Sequence, residues 1–129
     1  MQSGLPEGYW RGKRVLELGA GTGFTCLVAA VLGARLVVVS DGNPRVLQLA
    51  SDNAAANLRA GERAAMEYSL LRWESAGDPS WKFEKGDAFD VILAADVTYS
   101  PDLVALLTQV ISLVSARNPT LGTRNPTPV

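Results

Sequence analysis

The stretch Lys13-Arg14-Val15-Leu16-Glu17-Leu18-Gly19-Ala20-Gly21-Thr22-Gly23 runs from charge into short apolar residues and stops at alternating glycines, and Phe24 to Leu32 then follows as the most apolar segment of the chain. Residues 13–18 read as a buried strand, the glycines as a tight turn, and Phe24–Leu32, apolar on every side, as a helix buried under a sheet. Strand, glycine turn and helix in that order open a βαβ unit.

Working outward, Gly33 is a helix stop, and Arg35-Leu36-Val37-Val38-Val39-Ser40 is a second, β-branched strand ending at Asp41. Asn43-Pro44 supplies an N-cap and a first helical position, after which Val46, Leu47, Ala50, Ala54 and Leu58 recur at helical spacing. Ala64–Leu71 alternates less regularly as a third strand and leads to Arg72-Trp73-Glu74, while residues 77–87 read as a surface loop anchored by Trp81 and Phe83. Phe89–Ala95 is the most continuous strand signal, expected in the sheet interior, and it runs into Asp96-Val97-Thr98-Tyr99. Ser100-Pro101-Asp102 starts a helix with an apolar stripe at Leu103, Leu106, Leu107, Val110, Leu113 and Val114. Beyond it the periodicity ends, and residues 117–129, with three of the seven prolines, are expected to be a disordered tail. The alternation predicts an α/β fold with a parallel sheet and helices on both faces. Ligands of such sheets lie at the strand C-terminal ends, where Gly19–Gly23, Asp41, Trp73 and residues 96–99 all fall.

At 129 residues there is room for one domain, expected over residues 1–116. Twelve basic against thirteen acidic residues leave a net charge of −1, so neither a phosphate backbone nor an anionic membrane is broadly attracted, and no nucleic-acid or membrane partner is expected. With no histidine and a single cysteine, zinc sites and Ser-His or Cys-His nucleophiles are excluded, and no metal is expected. Cys26 sits in the apolar run and reads as a small buried hydrophobe. One cysteine allows no internal disulfide, and no apolar run approaches the ~20 residues of a membrane span, so a soluble, cytoplasmic chain is expected.

The glycines at 19, 21 and 23 let a backbone approach a ligand closely, although a turn needed only for packing would use them too. The dinucleotide spacing Gly-x-Gly-x-x-Gly would require glycine where Phe24 stands, which weakens the case for NAD. Glu17, just before the turn, would repel a pyrophosphate and favour an ammonium or sulfonium, pointing to S-adenosylmethionine; an ion pair with Lys13 or Arg14 is the structural alternative. Asp41, 18 residues past Gly23, is placed to accept from both ribose hydroxyls, or else simply begins the turn Asp41-Gly42-Asn43.

Together Val15-Leu16-Glu17-Leu18-Gly19-Ala20-Gly21-Thr22-Gly23, Asp41-Gly42-Asn43, Leu71-Arg72-Trp73-Glu74 and Ala94-Ala95-Asp96-Val97-Thr98-Tyr99 resemble the seven-strand protein-lysine methyltransferases, family 16, over about residues 12–116. Trp73-Glu74-Ser75-Ala76 and residues 95–101 look most like the elongation factor 2 lysine methyltransferases, whereas Asp41-Gly42-Asn43-Pro44 also looks like the calmodulin-lysine methyltransferases. The resemblance implies S-adenosylmethionine as cofactor and a protein lysine as acceptor. It assigns Gly19, Ala20 and Gly21, with Gly23 closing the turn, to the methionine portion and ribose edge. Asp41 goes to the ribose diol, Trp73 to the adenine surroundings and Ala95 to the pocket rim. Asp96 and Tyr99 match its Asp-x-x-Tyr motif, tied to substrate lysine and methyl transfer. On the residues alone, the alternative for Trp73 is an aromatic core plug and for Tyr99 a helix-cap contact. The resemblance also implies seven strands where this chain offers four, so strand 89–95 would become an exposed edge. Three functions follow as alternatives: a truncated lysine methyltransferase, a non-catalytic interaction module, or a small-molecule methyltransferase on the same fold.

Overall fold

A computed structural model describes residues 6–21, 23–75, 83, 86, 88–94 and 101–117. The elements are β1 (Arg14–Leu18), α1 (Phe24–Val31), β2 (Leu36–Asp41), α2 (Pro44–Asn57), α3 (Ala60–Ala64), β3 (Met66–Leu70), a 3-10 turn at Trp73–Ser75, β4 (Val91–Leu93) and α4 (Pro101–Arg117). The four strands form one parallel sheet in the order β3-β2-β1-β4. The expected α/β architecture is therefore present, in the incomplete, four-stranded form.

Strand alternation sorts β1 and β2 onto two cores. Leu16, Leu18, Leu36 and Val38 face one way and pack with Leu71, Phe83, Phe89 and the α4 residues Leu107, Val110 and Val114. Val15, Val37 and Val39 face the other way, against Cys26, Ala29 and Ala30 of α1 and Ala50 and Ala54 of α2. Helices thus cover both faces, as βαβ crossovers require. Asn43 caps α2 as its sequence suggests, its side chain accepting from the Arg45 backbone N–H at 2.9 Å behind Pro44. Phe83 meets Phe89 edge to face at 5.1 Å, which makes it the loop anchor expected of it. Trp81 lies outside the described residues.

Three expectations are corrected. Ala64 belongs to α3, a five-residue helix not foreseen, and β3 begins only at Met66. The strand expected over 89–95 pairs as β4 over Val91–Leu93, and it lies at the sheet edge, as the four-strand count implied and not in the interior that its apolar run suggested, because among the described residues β1 is its one neighbour. The helix read as buried on every side buries one side: Cys26, Ala29 and Ala30 are inside, while Phe24, Val28, Val31 and Leu32 are exposed, since no described layer covers the outer face of α1. Residues 118–129 lie outside the described residues, and α4 runs to Arg117.

Between β1 and β4 the chain reverses the direction in which it adds strands. A crevice outside the strand ends at such a reversal is where open α/β sheets take their ligands. The glycine turn after β1 lies there.

Candidate functional site

β1 delivers the chain into the glycine turn, and the turn is held from below by β2. The Ala20 N–H donates to the Ser40 carbonyl at 3.0 Å, and the Gly23 N–H closes back on the Ala20 carbonyl at 3.0 Å. Gly19, Gly21 and Gly23 all have positive φ, a conformation that side-chain-bearing residues rarely adopt. Around Gly21, at φ +58°, a Cβ would meet nothing within 4 Å, so the turn presents bare backbone to open space. Gly23 is tight instead: its Cβ would lie 3.0 Å from the Ala50 Cβ, and this glycine lets α1 start directly against α2.

Asp41, the last residue of β2, reaches the same turn. Its Oδ2 accepts from the Gly21 N–H at 3.4 Å, and its Oδ1 accepts from the Asn43 N–H at 3.0 Å. The carboxylate therefore serves its own Asp-Gly-Asn turn and also faces the glycines, uniting two roles that the sequence left as alternatives. The loop after β3 joins this cluster: the Leu71 N–H donates to the Asp41 carbonyl at 3.0 Å, and the Arg72 Nε–H donates to the Gly42 carbonyl at 3.4 Å. Trp73 follows immediately, half-buried against the core on the α4 side. Ala95, Asp96 and Tyr99 lie outside the described residues, so the structure brings together Glu17, Gly19, Ala20, Gly21, Gly23 and Asp41, with Trp73 adjoining.

Glu17 is the unusual member. It points to the α1 side of the sheet, 2% exposed, between Val15 and Ala20 on a face otherwise lined by apolar residues. Its Oε1 accepts from the Cys26 thiol at 3.5 Å, and the Thr25 hydroxyl also donates to it; Oε2 has no partner. These α1 contacts, rather than Lys13 or Arg14, are its surroundings. Burial pushes its carboxyl up to about 7 against the two donors, which act to lower it. Burial also pushes the Cys26 thiol far up, which makes it the inert, packed residue expected from its sequence.

Sequence reasoning missed Ser40. Fully buried, it donates its hydroxyl to the Glu17 carbonyl at 2.6 Å and ties the end of β2 to β1 just below the turn. The available signal was a lone hydroxyl at the end of the Val37-Val38-Val39 run.

A sequence model described as lysine methyltransferase matches residues 2–123, nearly the whole chain. The chain belongs to the lysine methyltransferase family. Protein N-lysine methyltransferase METTL21A of Danio rerio is 37% identical over 106 residues, covering 82% of this chain and 46% of that protein. Protein-lysine N-methyltransferase EFM3 of Chaetomium thermophilum is 37% identical over 115 residues (83% and 34%), and the calmodulin-lysine N-methyltransferase of Arabidopsis thaliana is 39% identical over 95 residues (73% and 30%). This lysine methyltransferase family member thus spans less than half the length of each of these relatives. Among solved structures, magnesium protoporphyrin IX methyltransferase from Synechocystis with bound SAH superposes with a TM-score of 0.64 at 22% identity, covering 87% of this chain and 45% of that one. The ribosomal protein L11 methylase of Lactobacillus delbrueckii superposes with a TM-score of 0.60 at 21% identity, covering 86% and 48%. At these identities the likeness establishes the methyltransferase fold.

Proposed function

We propose that this chain carries the cofactor half of an S-adenosylmethionine-dependent protein-lysine N-methyltransferase site. The observation that carries the reading is the meeting of the Asp41 carboxylate with the Gly21 N–H, which sets a two-oxygen acceptor beside bare backbone at the end of β2. The partnerless oxygen of buried Glu17 adds an unsatisfied acceptor below the same turn, which suits a cationic ligand.

In this reading Gly19, Ala20, Gly21 and Gly23 admit the ligand to the backbone, Asp41 accepts from the ribose hydroxyls, and Glu17 complements the cationic portion. Trp73 and Ala95 border the adenine and the pocket rim. When bound, the cofactor supplies a methyl group activated on a sulfonium. By the motif resemblance, Asp96 and Tyr99 are the residues assigned to supply oxygens that orient a neutral lysine amine for in-line attack. Alignment of this kind is worth up to ~7–11 kcal/mol of barrier. The acceptor is a protein lysine, as the names of the relatives say of those proteins, with elongation factor 2 the candidate that the motif resemblance favours. Reducing cytoplasm is the compartment that suits the unpaired, buried Cys26.

Equilibrium binding of labelled S-adenosylmethionine tests the reading. Saturable binding that Asp41→Ala abolishes is the expected result, and label appearing on protein rather than metabolite extracts separates lysine transfer from small-molecule transfer. Failure of the unsubstituted chain to bind saturably overturns it. The outer edge of β4, which no described strand pairs, favours the second reading, a non-catalytic module that pairs with another chain, which then takes its place.

A further inference from the structure

Two buried carboxylates have oxygens without a hydrogen-bond partner, Glu17 and Glu67. Glu67 is the second residue of β3, level with Val38 on the α4 side and remote from the glycine turn. Glu17 lies two residues before that turn. The two donors that reach it belong to the first turn of α1, where a helix favours negative charge.

No cation neutralises it among the described residues. α1 carries no charged residue, and its one other titratable group is Cys26. Val37 and Val39 of β2, Val91 and Leu93 of β4, and Ala50 and Ala54 of α2 share its face and are apolar. β3 contributes the Tyr68 phenol, also pushed up by burial and hydrogen-bonded to Ser51 of α2. On the side of the turn stands Asp41, a second negative charge. An ionised carboxylate in such surroundings is costly until a cation arrives, and carrying a proton removes the cost.

We propose that Glu17 exchanges its proton for the cationic portion of the incoming cofactor, so that binding is a proton-releasing step whose affinity is tied to pH through this one side chain. The inference rests on the proposed cofactor site and deepens it. The balance is simple: the carboxyl O–H breaks, the proton leaves to solvent, and no other bond changes.

Calorimetric titration with S-adenosylmethionine at pH 6.5, in two buffers of different ionisation enthalpy, counts the released protons. With the carboxyl at about 7, roughly three-quarters of a proton is expected to leave per cofactor bound, and none from Glu17→Gln. Between pH 8 and pH 5.5 the Kd should weaken roughly 30-fold more in the unsubstituted chain than in Glu17→Gln, the variant cancelling any titration of the ligand itself. The proton count on the unsubstituted chain stands even if the variant fails to fold. Saturable binding without proton release overturns this inference and leaves the proposed function intact. Absence of binding at every pH overturns both.

Discussion

Glu17 is exposed on unfolding, so its environment writes itself into stability as well as into binding. Its folded value, about 7, lies above the ordinary 4.5, so between these values the folded chain holds more protons than the unfolded one. The stabilising contribution is fully present below pH 4.5 and is lost as pH rises through 7, a difference of at most about 3 kcal/mol. Glu17→Gln, which cannot ionise, should therefore raise the urea midpoint at pH 8 and leave it nearly unchanged at pH 4.5; an equal effect at both would refute the assignment. Gly23 carries a different load. A side chain there suffers both from its φ of +79° and from the 3.0 Å approach to the Ala50 Cβ. Gly23→Ala should cost about 1–2 kcal/mol from φ alone, with a further loss from the clash. Adding Ala50→Gly should return the clash portion and not the φ portion, which denaturant melts of the single and double variants will separate.

Among the elements, α4 is the one whose sequence stripe translates most directly into packing. Leu107, Val110 and Val114 are buried against β1 and β2, while Val104 on the same helix is 42% exposed. Leu107→Ala is expected to cost about 2–5 kcal/mol, towards the lower end because the site can relax near the surface, whereas Val104→Ala should stay within about 0.5 kcal/mol. Urea midpoints for the pair test the assignment of faces. This stripe was legible because 17 residues give a 3.6-residue period room to repeat. α3 was not legible, since five residues hold barely one turn and its start is secured by the Glu62 carboxylate accepting from the Arg59 N–H at 2.8 Å. The glycine turn and Asp41 could be read from spacing, because strand ends and turn residues are local properties. What Glu17 touches could not: alternation tells that it faces away from Leu16 and Leu18, but the identity of Cys26 and Thr25 as its partners depends on where α1 lands.

Taken whole, the molecule is a parallel sheet with an interior-type strand at its border. Residues 91–93 read Val-Ile-Leu, with no charge or proline to blunt the edge, and on the described residues nothing pairs with the outer side of β4. Hydrogen bonding shows which groups look outward. Val37 bonds through its N–H to Ala65 on the β3 side, so Val15 turns its backbone groups to β2, and the register Val15↔Val91 to Glu17↔Leu93 then sets the backbone groups of Val91 and Leu93 towards β1 and those of Ile92 outward. An edge of this kind templates pairing with another strand. The chain should therefore associate in a concentration-dependent way, seen as a rising weight-average mass in sedimentation equilibrium. Ile92→Pro removes an outward donor and no bond to β1, so it should suppress association while the chain stays folded by circular dichroism. Val91→Pro removes an inward donor and should instead destabilise the sheet. If Ile92→Pro leaves association unchanged, the contact between copies lies elsewhere, and the exposed α1 residues Phe24, Val28 and Val31 become the surface to test.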